Sequence, residues 1–120
     1  RGETRFAIRF DGAFETLPAA ISASLYRIVQ EALTNAAKHA GATKVSLELT
    51  MRTDEIALAI DDDGRSSDPA AKSGMGLLGM RERVAALRGR LSFEAGPHGG
   101  TALRVIIPVA ADRPVLEHAA

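Results

Sequence analysis

Glu31 and Asn35 stand four residues apart in the stretch EALTNAAKHA, residues 31–40. On a helix this spacing puts a carboxylate and a carboxamide one turn apart on the same face. A magnesium ion carrying a triphosphate needs hard oxygen ligands in octahedral geometry and keeps several waters, so one side-chain carbonyl is an adequate share for a protein. Asn35 can supply that oxygen. Glu31 can accept a hydrogen bond from a metal-bound or attacking water and so act as a base, and Lys38 would add charge near phosphate. Taken alone, the pair reads more readily as the solvated face of an amphipathic helix.

Three further stretches follow in order. In DDDGR, residues 61–65, Asp62 at a strand end could accept a hydrogen bond from the exocyclic amine of adenine, a contact guanine would not reproduce with its carbonyl. Gly64 would let base and backbone approach closely and could take positive φ. By itself the run is an acidic turn. In GMGLLGMRERV, residues 74–84, the backbone amides of Gly74, Gly76 and Gly79 could wrap phosphate oxygens at a helix start, with Lys72 and Arg81 as further phosphate contacts. The run is literally G-x-G-x-x-G, but a dinucleotide-binding turn should directly follow a strand, and here a polar loop intervenes. Leu77, Met80 and Val84 read as core positions within it. Finally, in HGGT, residues 98–101, the Thr101 hydroxyl could join a water and Asp62 around adenine, or serve as an ordinary strand threonine.

The elements that must hold these residues follow from periodicity. Phe6, Ile8 and Phe10 alternate with polar residues and predict a half-buried strand ending at Asp11-Gly12. Ile21, Leu25, Ile28, Val29, Ala32, Leu33 and Ala36 recur at helical spacing and predict a helix from about Ser22 to His39, with Gly41 as its stop. Arg27, Glu31, Asn35 and Lys38 fall in one sector, away from most of that apolar arc. Val45, Leu47 and Leu49, then Ile56, Leu58 and Ile60, predict a hairpin across Arg52–Asp54. Asp61 to Ser73 suits no period and reads as a mobile loop. A helix through Met80, Val84 and Leu87 would end at Gly89, and strands through Leu91–Phe93 and Leu103–Ile107 would close the sequence at Pro108. Residues 111–120 read as a frayed tail. The order predicts an α+β, two-layer α/β sandwich: a mixed, mostly antiparallel sheet with helices on one face.

Composition narrows the function classes. The 120 residues suit a single domain, 1–120, and 46% hydrophobic with 25% charged residues is globular rather than disordered. No apolar run is long enough to span a bilayer. Fifteen basic and fifteen acidic residues cancel, which argues against nucleic-acid binding through a broad positive field. The absence of cysteine excludes disulfides and thiolate metal sites. A start at Arg1 without a signal segment suggests a piece of a longer protein.

Taken together and in order, over about Tyr26 to Pro108, these motifs resemble the catalytic ATP-binding domain of sensor histidine kinases, within the GHKL ATPases. QEALTNAAKHA, Gln30 to Ala40, is similar to the nitrate/nitrite-sensor branch in particular. The resemblance implies a Bergerat-type fold, a helical layer on a mixed sheet with ATP under a flexible lid, here Ser66 to Ser73. It implies that Asn35 binds the metal, that Glu31 lies near the phosphate end, and that Gly74, Gly76, Leu77 and Gly79 close that end. It also implies ATP and magnesium as cofactors, a cytoplasmic location without membrane contact, a phosphoacceptor histidine on a separate dimerisation domain, and a response regulator reached through the parent protein. None of His39, His98 and His118 lies in such an acceptor helix, so no autophosphorylation is expected from this piece alone. One departure stands out: the family pattern D-x-G-x-G, aligned on Asp62 and Gly64, puts Ser66 where a second glycine belongs. Two other readings stay open, a hydrolytic GHKL ATPase of the gyrase or mismatch-repair type and a degenerate, non-catalytic interaction domain.

Overall fold

The computed structural model describes residues 4–39, 43–64, 78–96 and 99–109, with backbone alone for 37–39. The chain runs β1 (Arg5–Asp11), a 3-10 turn (Phe14–Thr16), α1 (Ala19–His39), β2 (Lys44–Met51), β3 (Glu55–Asp62), α2 (Leu78–Ala86), β4 (Arg90–Ala95) and β5 (Thr101–Pro108). The sheet order is β1-β2-β3-β5-β4. β1 pairs with β2 in parallel and every other pair is antiparallel. A parallel neighbour requires a crossover, and α1 is that crossover. This is the mixed sheet with a helical face that the hydrophobic pattern predicts. The loop read over Asp61 to Ser73 starts too early, since Asp61 and Asp62 continue β3 in register with β2 and β5, while the lid at Ser66–Ser73 and the tail at 111–120 lie outside the described residues.

α1 begins three residues before the periodicity suggests. Pro18, with φ already set for a helix, gives its carbonyl to the amides of Ile21 and Ser22 at 3.0 and 3.1 Å and starts the helix there. Its apolar stripe, Leu25, Ile28, Ala32 and Ala36, is buried. It shares one core with Val45, Leu47 and Leu49 of β2, Ile56, Leu58 and Ile60 of β3, and Leu103, Val105 and Ile107 of β5. Met80 and Val84 bring α2 onto the same core. The stripe ends in two alanines, so the C-terminal half of α1 covers the sheet with small side chains.

β1 differs from the half-buried strand that its alternation predicts. Phe6, Ile8 and Phe10 register with Val45, Leu47 and Leu49 and so share the helical face, yet they are 45, 52 and 60% exposed. The strand lies at the sheet edge, while α1 packs on β2 and α2, and α2 on β4. The Phe14 ring, edge-on to Phe10 with centroids 6.0 Å apart, reaches over it.

The end of α2 also differs from expectation. Arg88, not Gly89, takes the left-handed conformation, with φ 61°. The amide of Gly89 then bonds the Val84 carbonyl at 2.9 Å and that of Arg88 the Ala85 carbonyl at 2.8 Å, a Schellman closure. Gly89 is required for another reason: a Cβ there would sit 2.5 Å from the Ile106 carbonyl oxygen.

Candidate functional site

The three aspartates ending β3 diverge because successive strand residues face opposite sides of the sheet. Asp61 is paired across the sheet with Arg104, at 3.0 Å. Asp62 turns to the helical side, where its Oδ2 accepts a hydrogen bond from Thr101 Oγ1 at 2.6 Å and its Oδ1 accepts the Gly64 amide at 2.8 Å. Asp63 turns toward the start of β2: Oδ1 accepts the amides of Thr43 and Lys44 at 2.8 and 2.9 Å, and Oδ2 accepts the Thr43 hydroxyl at 2.7 Å. These bonds, the Thr43 hydroxyl first and the Lys44 amide next, hold the Asp63 carboxyl below its usual pKa.

Thr101 is only 3% exposed, a buried polar side chain fastened to Asp62. Gly100 makes that approach possible. Its φ is +71°, and a Cβ there would overlap the Asp62 carbonyl oxygen. An ionised carboxylate offers about four lone-pair positions, so two bonds leave Asp62 able to accept an amine from a ligand.

Asp62 and Thr101 stand at a cleft that α1 and α2 close. Its lining includes Asn35 beside Ala32 and Ala36 from α1, and Ile60, Met80, Phe93 and Leu103 give it apolar walls. The cleft is apolar with one acidic acceptor at its end. Thus Asn35, Asp62 and Thr101, far apart in sequence, line one cavity.

Residues 20–111 match the family described as histidine kinase-, DNA gyrase B-, and HSP90-like ATPase. This chain belongs to that ATPase family. It is 45% identical over 92 residues to the sensor histidine kinase LnrJ of Bacillus subtilis (strain 168), covering 77% of this chain and 22% of LnrJ. Among solved structures, it is similar to the ATP binding domain of PrrB from Mycobacterium tuberculosis, with TM-score 0.60 and 32% identity over 72% of this chain and 68% of that one. The fold also superposes on the blue-light activated histidine kinase EL346 of Erythrobacter litoralis, with TM-score 0.74 and 22% identity over 96% of this chain and 38% of that one. The chain spans about a quarter of the length of the curated relatives it matches.

The remaining site candidates of this ATPase domain divide clearly. Glu31 is half-buried, and its Oε1 is buried with no hydrogen-bond partner among the described residues. A buried acceptor without a donor is costly, and a water or metal-bound water would supply the missing donor. The donor set therefore fits a magnesium ion carrying phosphate: Asn35 offers a carbonyl oxygen in the cleft, and Glu31 an unsatisfied oxygen one turn away. Gly64 is buried and its amide is committed to Asp62, so its contribution is to fix the acceptor. Gly79 lies in the first turn of α2, where a Cβ would meet nothing within 4 Å. Arg81 is exposed. Gly74, Gly76, Leu77, Lys72 and Ser66, and the side chain of Lys38, lie outside the described residues.

Sequence reasoning left several features unassigned: the spacing role of Gly100, the separate partners of Asp61 and Asp63, and Arg83 of α2, whose Nε is buried without a partner among the described residues. For Asp61 and Asp63 the signal was present, since three acids at a strand end must alternate in direction.

Proposed function

We propose that this domain binds magnesium-ATP and presents the γ-phosphate to a histidine on a separate dimerisation domain, as the catalytic part of a sensor histidine kinase in two-component signalling. The observation that carries this reading is the Asp62–Thr101 pair, held at 2.6 Å at one end of a cleft that Asn35 also lines. Asp62 would accept the adenine amine, and the Thr101 hydroxyl, which donates to Asp62, fixes that carboxylate's orientation. Ile60, Met80, Phe93 and Leu103 would enclose the base. Asn35 would hold the magnesium ion, which when bound neutralises phosphate charge. Glu31 would take a proton from, or orient, the group that attacks phosphorus. Phosphoryl transfer asks little covalent chemistry of a protein, so positioning and charge stabilisation are the main contribution. The acceptor domain, a response regulator reached through the parent protein, and a cytoplasmic setting belong to the same proposal. Among the described residues no helix is long and apolar enough to cross a membrane.

The test is calorimetric titration with ATP and GTP, with and without magnesium, on this chain and on Asp62→Asn and Asn35→Ala. The expected result is ATP-selective binding, tightened by magnesium. Asp62→Asn should erase the selectivity, and Asn35→Ala should erase the magnesium effect. A folded chain that binds neither nucleotide would refute the reading in favour of an interaction role.

A further inference from the structure

Asp63 lies outside the cleft lining and is exposed, yet its carboxylate gathers three donors from Thr43 and Lys44. The ladder between β2 and β3 reaches its last registered pair at Val45 and Asp62. Beyond it, the backbone contributes one long bond, from the Asp63 amide to the Lys44 carbonyl at 3.3 Å. β5 holds the other side of this strand end, through the Asp61–Ala102 pair and the Thr101–Asp62 bond, so the Asp63 carboxylate is what holds it on the β2 side beyond that last pair. Thr43 leads into β2, which packs against α1, the helix that carries Glu31 and Asn35, so the clasp ties the end of β3 to the strand under that helix. On its other side, the Thr43 carbonyl accepts the Arg5 amide at 2.9 Å, which ties the same point to β1.

We infer that Asp63 is a positioning residue for nucleotide recognition: its clasp on Thr43 and Lys44 sets Asp62, on β3, against Asn35, on α1, and thereby sets adenine selectivity. The inference rests on the nucleotide-site reading above. Hydrogen bonds to an ionised acceptor are stronger than neutral ones, and three on one carboxylate make a stiff junction. Recognition of an exocyclic amine requires its acceptor within about 0.5 Å of the right place, so slack at this strand end should weaken the adenine contact first. Contacts common to all nucleoside triphosphates, at the phosphate end, would change less.

The experiment compares ATP and GTP affinity by calorimetry for the wild type, Asp63→Ala, Asp63→Asn and Thr43→Val, each well below its melting temperature. Asp63→Ala is expected to weaken ATP binding about tenfold while GTP affinity stays within about twofold, so that the selectivity ratio falls. Asp63→Asn retains an Oδ1 acceptor for the two amides and can donate to the Thr43 hydroxyl, so it is expected to recover ATP affinity to within about threefold of wild type. A role in stability alone would lower the melting temperature and leave the ratio unchanged. A folded Asp63→Ala with wild-type ATP affinity and selectivity would overturn the inference, as would equal losses in the alanine and asparagine variants, which would point to charge rather than the clasp. Should Asp63→Ala not fold, Thr43→Val decides: it removes the hydroxyl arm alone, and an unchanged ratio there would overturn the inference. A wild type without ATP preference would instead bring down the nucleotide reading itself.

Discussion

Two glycines of the site show how differently the same residue type can be required. At Gly100 the demand is built into the fold, since an added Cβ would collide with the Asp62 backbone. At Gly79 packing makes no demand at all, and alanine is favoured over glycine in a helix by about 1 kcal/mol. Gly79→Ala should therefore keep or raise the melting temperature while weakening ATP binding, if phosphate approaches the backbone there; unchanged affinity would remove residue 79 from the site. A second residue-scale expectation concerns acid. Donors on Asp63 hold its folded pKa below the ordinary 3.8, so its stabilising contribution is complete above that value and is lost as pH falls through the lower folded one. The melting-temperature gap between wild type and Asp63→Ala should thus be constant above about pH 5 and narrow below about pH 3.8, as scanned by circular dichroism. A gap that widens toward acid would contradict the clasp. Asp62, Asn35 and Thr101 were legible in the sequence because each is a ligand-type residue inside a recognisable run. The direction of Asp63 was legible too, but its partners and that of Gly100 were not, because they lie 19 residues or more away.

At the scale of elements, periodicity revealed every helix and strand whose stripe meets the common core, from Ile28 on α1 to Val105 on β5. It misjudged β1, because alternation reports which side a residue faces and not whether a helix reaches that side. It found the end of α2, where the Gly89 amide closes the helix, but not which residue turns left-handed: register against β5 forces glycine at 89 and leaves that conformation to Arg88. A non-glycine residue in that conformation costs on the order of 1 kcal/mol, partly offset in Arg88→Gly by the greater freedom of an unfolded glycine. Arg88→Gly is therefore expected to stabilise the domain by about 0.5 kcal/mol and raise its melting temperature by a few degrees, without altering ATP affinity. A lower melting temperature would mean that the arginine side chain contributes more than its backbone costs.

At the scale of the molecule, the proposal is of a domain that readies a phosphoryl group for a receiver elsewhere. Its cleft and the match to the ATPase family fall between residues 20 and 111, as does all of its core cluster but Leu17, and the match covers only about a quarter of its curated relatives' length. The histidines number three, and His39 ends α1 on the element that carries Asn35. In the proposed reaction, attack on the γ-phosphorus needs a nucleophile that approaches along the axis of the breaking bond, a part assigned to the histidine of the separate dimerisation domain. Incubation of this chain alone with γ-labelled ATP should therefore leave no acid-labile phosphohistidine. Adding the parent's dimerisation domain as a separate polypeptide should bring label onto that domain, at a rate that Asn35→Ala strongly depresses. Label accumulating on this chain by itself would place the acceptor within these 120 residues and end the separation between donor and receiver.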